Sequence, residues 1–320
     1  MALEINHETN DIVNSTGQIK VNGTAVGGDN TVWYGSRGLF GGGIVSNNTD
    51  VIEYVTIAST GNATDFGNLT AAKGELAACS SGTRGVFGGG LISSSTNIIE
   101  YVTIATTGNG TDFGDLSAAR KWLASCSNGI RGLFGGGYES DFVDTVEYIT
   151  IATAGNATDF GNLSANRGLL CACSSAVRGV FAGGYAFLNI IEYVTIATTG
   201  NVTDFGDLTL GRHNSGSCSS AAGRGIFTGG DTTQSAMTDT IDYITIASTG
   251  NATDFGNLTA INYRNAACSD GSRGVIGGGA ETASNKYNTI QYVTIASTGN
   301  ATDFGDLTES KYYLSSCSGT

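Results

Sequence analysis

The chain repeats itself six times with a period near 47 residues, and this repetition constrains the fold more than any other feature of the sequence. An Arg-Gly step that leads into further glycines marks each copy. The marker arginines are Arg37, Arg84, Arg131, Arg178, Arg224 and Arg273, at intervals of 47, 47, 47, 46 and 49 residues. Repeats of this length that contain several short strands are typical of the blades of a β-propeller.

Four short strands are predicted in each copy, and the second copy shows them most clearly. They are the small-residue run at 76–81, the marker segment at 84–90, a β-branched run at 98–106 and an aromatic run at 111–116. Glycine-containing turns separate them, and β-branched and aromatic residues favour strands. Consecutive strands joined by short turns form an antiparallel meander, so the sequence predicts an all-β propeller with six blades of four antiparallel strands.

The composition agrees with this fold, because the chain has 49 glycines and no proline among 320 residues. Average usage would give ~22 glycines and ~16 prolines. A mainly helical fold is disfavoured, since an interior glycine costs a helix ~1 kcal/mol relative to alanine. Central strands must donate every backbone N–H, which proline lacks. The glycine excess is therefore a requirement of one blade multiplied by six.

The strand count predicts how the ring closes. The small-residue first strand precedes five of the markers, and a further copy at 312–320 has no marker after it. We expect this C-terminal segment to supply the innermost strand of blade one, as a latch. The alternative is that residues 31–36 form that strand. In both cases the propeller spans residues 31–320.

Residues 1–30 lie outside the repeat and are predicted to form a strand-rich attachment segment, because apolar and polar residues alternate between glycine turns. The first residues show neither the basic region nor the apolar run of a signal peptide, and no stretch of ~18 apolar residues exists, so no membrane insertion is expected. The net charge of −13 disfavours nucleic acid and anionic membranes as partners.

Charged residues recur once per copy at three places. One is the marker arginine. A second basic position holds Lys73, Arg120, Arg167, Arg212, Arg264 and Lys311, and the third strand carries Glu53, Glu100, Glu147, Glu192, Asp242 and, in the sixth copy, Gln291. The simplest interpretation is a structural ion pair or turn cap in each blade. The predicted members of structural pairs are Arg84, Glu100, Arg120, Arg131, Glu147 and Arg167. The alternative is a ring of charges that lines an axial channel and binds an ion.

The sequence offers no catalytic constellation, and we expect no enzyme, no cofactor and no metal. His7 and His213 are the only histidines, too few for a metal site or a triad. The six Asp-Phe-Gly tripeptides lack the lysine and catalytic loop of a kinase. Six of the seven cysteines recur once per blade. They are interpreted as reduced, buried small side chains rather than as metal ligands.

The connections between strands divide into two classes. Those from the first strand to the second and from the third to the fourth barely change, whereas those from the second to the third and from the fourth to the first differ in every copy. In an up-and-down blade the two variable classes lie on one face of the disc. We call this the individual face and the opposite one the monotonous face. Function usually resides on variable loops held by a rigid scaffold.

The individual face carries the candidate binding residues. These are Trp122, Tyr138, Phe142, Tyr185, Phe187, Tyr263, Tyr287, Tyr312 and Tyr313. Clustered exposed aromatic rings suit stacking on sugars or a protein hot spot. The alternative is that the rings fold back and cover the ends of the core.

Residues 37–320 resemble Kelch repeats in the order of small strand, Gly-Gly strand, Glu-x-Tyr strand, aromatic strand and basic residue. The usual tryptophan of the fourth strand is phenylalanine, at Phe66, Phe113, Phe160, Phe205, Phe255 and Phe304. The segment YVTIASTGNATDFGDL at 292–307 also resembles repeats in virion structural proteins of marine tailed phages, especially cyanophages.

The second resemblance implies a non-enzymatic virion protein, assembled in the host cytoplasm and displayed as a fibre, an appendage or a capsid decoration. Its expected partners are other virion proteins, bound through residues 1–30, and a host-surface glycan or protein. It also implies a homo-oligomer on the particle. The alternative is an extracellular protein, namely a secreted bacterial lectin or a matrix protein with a Kelch-like propeller.

Overall fold

The computed structural model describes residues 34–233 and 236–320, together with four short strands nearer the N terminus. Contacts divide the chain into two units, Met1–Thr31 and Val32–Thr320. In the first unit, Glu4–Asn6 pairs antiparallel with Asp11–Val13, and Lys20–Val21 pairs with Thr24–Ala25. Short strands are therefore present where the sequence predicts them. The attachment role of residues 1–30 stays a prediction.

The second unit is built of six antiparallel sheets of four strands each, which confirms the six-bladed propeller. From the first strand to the fourth, blade one consists of Ser315–Gly319, Arg37–Gly41, Val51–Thr56 and Thr64–Asn68, and blade two of Ala77–Ser80, Arg84–Gly88, Ile98–Thr103 and Thr111–Asp115. Blade three consists of Ala124–Ser127, Arg131–Gly135, Thr145–Thr150 and Thr158–Asn162, and blade four of Cys171–Ser174, Arg178–Ala182, Ile190–Thr195 and Thr203–Asp207. Blade five consists of Gly216–Ser219, Arg224–Thr228, Thr240–Thr245 and Thr253–Asn257, with a hairpin of Asp231–Thr233 and Ala236–Met237 in its second connection. Blade six consists of Ala266–Ser269, Arg273–Gly277, Thr289–Thr294 and Thr302–Asp306.

The C-terminal strand closes the ring, as the latch prediction requires. Ser315–Gly319 pairs antiparallel with Arg37–Gly41 and places Cys317 opposite Leu39. Residues 34–36 form no strand, so the alternative closure by residues 31–36 is wrong for the part of that segment that the structure describes. The six first strands contact one another in a closed circle around the axis.

Hydrophobic packing between neighbouring blades builds the core. A phenylalanine of the second strand fits against a glycine of the preceding blade, and Phe134 of blade three shows the fit. It is fully buried, and a Cβ atom at Gly88 of blade two would lie 2.7 Å from its ring. A substituted residue at Gly88 would displace that ring. The repeat therefore uses this glycine for interdigitation and not for turn geometry alone.

The cysteines take part in the same packing. Each recurring cysteine faces the glycine that follows the marker arginine of the next blade, and a Cβ atom at Gly132 would lie 2.6 Å from Cys79 Sγ. All seven cysteines are buried and free of disulfide bonds. Burial raises the pKa of Cys126 to about 12, so its thiol is neutral at physiological pH. The interpretation of the cysteines as small buried side chains agrees with these contacts.

The marker arginines join adjacent blades without a carboxylate partner. The guanidinium of Arg84 lies 4.4 Å from the ring centre of Tyr101 in its own blade. Its Nη1 donates hydrogen bonds to the carbonyl oxygens of Ile151 and Ala152 of the next blade, at 3.0 and 2.9 Å. Equivalent bonds to the next blade recur at all six marker arginines.

The ion-pair prediction for Arg84 and Arg131 is therefore wrong. Neither forms an ion pair among the described residues. The third strand ends where the chain turns, and its last carbonyl groups have no strand partner there. The guanidinium satisfies these acceptors and stacks on tyrosine, which leaves no need for a carboxylate.

The second basic position does form buried ion pairs, which confirms Glu100, Arg120, Glu147 and Arg167 as members of such pairs. The five pairs are Lys73 with Glu100, Arg120 with Glu147, Arg167 with Glu192, Arg212 with Asp242, and Lys311 with Glu53. Each tethers a connection that enters a blade to the third strand of that blade, and Lys311 with Glu53 does so across the closure. None of these charges lines the axial cavities, so the alternative of an axial ring of charges is wrong.

Blade six replaces both charges of this pair at once. Asn262 and Gln291 occupy the two positions and are 2% and 3% exposed. Asn262 Nδ2 donates to the carbonyl oxygen of Gly278 at 2.9 Å. Gln291 Oε1 accepts a hydrogen bond from the backbone N–H of Thr259 at 2.8 Å, as Glu147 Oε1 does from that of Ser117 in blade three.

The assignment of Arg264 to the second basic position, which rests on spacing alone, is wrong. Arg264 lies two residues after Asn262, which occupies that position in blade six.

Blade six thus predicts how the ion pairs respond to neutralisation. Glu147→Gln should destabilise the protein by about 3 kcal/mol, because it leaves the buried Arg120 guanidinium without its counter-charge. The double variant R120N/E147Q reproduces the neutral pair of blade six, and its loss should fall short of the sum of the single losses by about 2 kcal/mol. Urea unfolding measures these free energies. The control R120N/E192Q breaks two different pairs and should show no such recovery. Equal coupling in the two double variants would contradict the pairing.

The latch generates a second prediction. Removal of residues 315–320 exposes the edge of Arg37–Gly41 and should lower the melting midpoint by about 10 °C or more, since a loss of 1 kcal/mol shifts it by about 2–4 °C. Thermal unfolding followed by circular dichroism measures the shift. As a control, residues 312–319 are moved to directly before Arg37 through a Gly-Thr turn, so that two residues separate Gly319 from Arg37, as they separate Ser81 from Arg84 in blade two. This chain should melt close to the wild type, and a truncated chain that melts like the wild type would refute the latch.

Candidate functional site

The two variable classes of connection meet on one face, which gives the individual face a structural basis. Lys121, in the connection that enters blade three, bridges to Tyr138 in the second connection of that blade. His213 and Asp231 form the same bridge in blade five. The variable segments are therefore hydrogen-bonded to one another and hold their side chains on a fixed backbone.

A closed ring of backbone hydrogen bonds surrounds the axis on this face. One residue from each connection contributes to it, and we call the six the axial ring: Glu75, Trp122, Leu169, Asn214, Arg264 and Tyr313. The N–H of each donates to the carbonyl oxygen of the one before it at 2.7–3.1 Å, and Glu75 N closes the circle on Tyr313 O at 3.0 Å. All six have φ between 56° and 61°.

The residues of the axial ring are not glycines, although their φ angles are positive. A left-handed conformation costs a residue other than glycine ~1–2 kcal/mol. Three other positions with positive φ recur in all six blades, those of Gly42, Gly43 and Gly67, and every copy is glycine. No residue of the axial ring is glycine, although glycine would relieve the strain. Strained residues of this kind concentrate at binding sites, so these six side chains are the first candidates for function.

The side chains of the axial ring line a cavity of about 90 Å³ at the axial mouth. The cavity brings together a carboxylate, an indole, an aliphatic chain, an amide, a guanidinium and a phenol. Below it, the first strands line a second cavity of about 120 Å³ that follows the axis. The backbone around the mouth repeats six times, whereas its six side chains differ in chemical type. A ligand at the mouth would therefore contact a different chemical group on each side.

Five of the predicted aromatic residues come together beside the mouth in one continuous run. Trp122 contacts Tyr138 and Phe142, and Phe142 stacks on Tyr185 with their centroids 4.8 Å apart. The run continues to His213, which stacks on Phe187 at 4.7 Å. We call this run the aromatic arc: Trp122, Tyr138, Phe142, Tyr185, Phe187 and His213.

The arc contains features of both sequence-based alternatives. Its rings pack mostly on one another, yet the side chain of Tyr185 is 50% exposed. The arc is thus a surface of mutually packed rings in which the ring of Tyr185 is exposed to solvent.

The remaining predicted aromatic residues surround Arg264, except one. The guanidinium carbon lies 4.0 Å from the ring centre of Tyr313, 4.4 Å from Tyr263 and 5.2 Å from Tyr312. Burial raises the pKa of both Tyr263 and Tyr313, so their phenols stay neutral. Tyr287 makes no ring contact within the described residues and does not join either group.

A polar cluster of His213, Asn214 and Asp231 braces the mouth between these groups. Asn214 Nδ2 donates to Asp231 Oδ2 at 2.8 Å and to His213 Nδ1 at 2.9 Å. Since an amide nitrogen only donates, Nδ1 is the unprotonated acceptor. Burial, helped by the positive charge of Arg264, lowers the pKa of His213 to about 4. His213 is therefore neutral near pH 7, and its 3.4 Å contact with Asp231 is not an ion pair at that pH.

The monotonous face holds the start of the propeller. Tyr34, the first residue of this unit that the structure describes, lines a cavity formed by the far ends of the first strands. Its hydroxyl donates to the carbonyl oxygen of Ser220 at 3.0 Å. Tyr34 thus lies at the axis, on the side opposite the axial ring.

The sequence indicated the aromatic residues of this site but not three of the six members of the axial ring. Glu75, Leu169, Asn214 and Asp231 carry no repeat signal, because they lie in the connections that differ in every copy. The one available signal was positional, since each ring member lies two residues after the second basic position or its Asn262 equivalent.

The described residues contain no group of three or more His, Cys, Asp or Glu side chains arranged to hold a metal ion. No helix there is long and apolar enough to cross a membrane. No protein-family model matches the chain, and no curated protein matches it.

The strained backbone of the axial ring predicts opposite effects at two neighbouring leucines. Leu169→Gly should leave stability unchanged or raise it by up to about 1 kcal/mol, because glycine adopts positive φ without strain. Leu170→Gly should destabilise by about 3 kcal/mol or more, because Leu170 has ordinary φ and packs in the core between blades three and four. Urea unfolding of both variants provides the test. Equal losses at the two positions would contradict a strained ring.

Proposed function

We propose that the protein is a non-enzymatic binding propeller displayed on the outside of a tailed-phage virion, as a fibre, an appendage or a capsid decoration. Its individual face contacts a glycan or a protein of the host surface. One observation carries the binding role: six equivalent backbone positions around the axial mouth hold six unlike side chains, and none is the glycine that the backbone favours.

The side chains at and beside the mouth are held in fixed positions, which suits contact with a ligand. His213 has its Nδ1 occupied by Asn214 and its ring stacked on Phe187. The aromatic arc and the tyrosines around Arg264 are held by ring contacts on a hydrogen-bonded backbone. Rigid aromatic groups bind with little loss of conformational entropy, which suits recognition.

Attachment to other virion proteins is assigned to residues 1–30, which lie outside the repeat. The virion setting itself rests on the resemblance of the repeats to phage structural proteins. A net charge of −13 with few charged residues suits display in salt water, where screening is strong.

Binding through the individual face is tested with two exposed side chains on opposite faces. Tyr185→Ala should weaken attachment of the full-length protein to host cells about tenfold, as expected for a hot-spot aromatic residue. Val177→Ala, at an exposed turn of the monotonous face, should bind like the wild type. Attachment is measured with fluorescently labelled protein. Unchanged binding of the Tyr185 variant would refute the assignment of this face.

The virion setting is tested separately by mass spectrometry of purified particles. The full-length chain should be present, and a chain without residues 1–30 should fold but fail to incorporate. Absence of the chain from virions would end the virion claim, and its recovery from bacterial culture medium would favour the secreted lectin. Incorporation of the shortened chain would refute the attachment role.

A further inference from the structure

We infer that the axial mouth binds the carboxylate of an acidic sugar, of the uronic or sialic type, and that Arg264 is the residue that holds this carboxylate. The inference rests on the proposed binding function and names its ligand class. It follows from the charges, the unpartnered donors and the size of the mouth.

Arg264 is a cation that forms no ion pair, in a protein rich in acidic residues. The chain has 28 acidic residues against 15 lysines and arginines, and five buried basic side chains each contact an acid. Within the described residues, no carboxylate oxygen lies within 4.0 Å of the Arg264 guanidinium, and its buried Nε has no hydrogen-bond partner. The nearby acids have other contacts: Glu75 pairs with Lys121 at 3.0 Å, and Asp231, whose charge Arg264 stabilises without an ion pair, accepts a hydrogen bond from Asn214.

The surroundings of Arg264 orient it for an anion. Tyr263 and Tyr313 place their rings 4.4 and 4.0 Å from its guanidinium carbon. Aromatic rings stabilise a guanidinium through its faces and leave the N–H edges for in-plane bonds, the arrangement that carboxylates accept in a bidentate manner.

A second unpartnered donor belongs to another residue that lines the same cavity. Trp122 Nε1 is buried without a hydrogen-bond partner, and an indole nitrogen can only donate. Both Trp122 and Arg264 line the mouth. Two residues that line the mouth thus carry donors without a hydrogen-bond partner, while Glu75, its one carboxylate, is paired with Lys121. This imbalance favours a ligand group rich in acceptor oxygens.

The size of the mouth and its surroundings favour a sugar as the carrier of that group. At about 90 Å³ the cavity is smaller than small-molecule pockets of ~300–1,000 Å³, so it takes one functional group of a larger ligand. The rest of the ligand would extend over the aromatic arc, where Trp122 leads from the mouth to the exposed ring of Tyr185. Flat aromatic rings beside an anion site suit a sugar ring that carries a carboxylate.

The experiment compares matched probes on the full-length protein by isothermal titration. One pair is oligogalacturonate and its methyl ester, and the other is sialyllactose and lactose. The wild type should prefer the acidic member of at least one pair by at least about tenfold. The pair that shows this preference separates uronic from sialic ligands. Arg264→Asn should reduce the preference to about one, and Asn is tolerated at this φ, as Asn214 shows in blade five.

Lys286→Asn removes another positive charge from the individual face, at a residue that does not line the mouth, and keeps the Arg264 guanidinium. Its preference for the acidic probe should stay near that of the wild type, and melting curves of both variants check the fold. An equal affinity for both members of each pair, or a preference retained in Arg264→Asn, overturns the inference while the binding function stands. Binding of an acidic peptide in place of every glycan also overturns it. A wild type that binds neither glycans nor host cells shows instead that the proposed function has failed.

Discussion

The packing of each blade against the next is the interaction on which the rest of the molecule depends. A four-stranded blade cannot bury both of its faces alone, so the six must close into a ring. Phe134 against Gly88 and Cys79 against Gly132 show how the faces interdigitate, and the marker arginines add hydrogen bonds between neighbours. The latch matters for the same reason. It gives blade one the strand that its neighbours on both sides require.

The buried ion pairs illustrate how uniform this scaffold is and where it is permitted to change. Five blades hold a basic side chain and a carboxylate in one place, and blade six holds Asn262 and Gln291 there. Both charges are missing together because one buried charge alone would be costly. Blade six nevertheless keeps the bond from a backbone N–H to the Gln291 side chain. This bond fixes the connection that enters blade six, and the nearby Arg264 lies at the axial mouth without an ion-pair partner.

The individual face combines a regular backbone with side chains that differ from blade to blade. The backbone ring at the mouth is the same in all blades, with hydrogen bonds of 2.7–3.1 Å. Its side chains differ in every blade and are supported by stacked rings and by the cluster of His213, Asn214 and Asp231. The residues that stabilise the propeller, at the contacts between blades, are therefore different from the residues that would recognise a ligand, at the mouth. Substitutions at the mouth can change the ligand while the packing between blades stays intact.

Much of the fold was predictable from the sequence because a blade is specified locally and then repeated. The strand segments, the turns and the unmatched C-terminal copy are visible in the residues themselves, and the six-bladed ring with its latch follows from them. Five of the candidate aromatic residues also proved to be neighbours. The partners of charged side chains were less predictable, since Arg84 meets carbonyl groups of another blade and Arg264 only resembles a member of the ion-pair series. Periodicity alone cannot tell which groups meet across two blades.

The sequence by itself therefore determined the number of blades, the strand order and the face on which variation is concentrated, because these depend on short-range patterns that recur six times. Only the tertiary structure decided the axial ring, the neutral state of His213 and the unpaired guanidinium of Arg264. These depend on residues about 50 positions apart that meet at the axis, where backbone strain, burial and charge are set by neighbours from other blades.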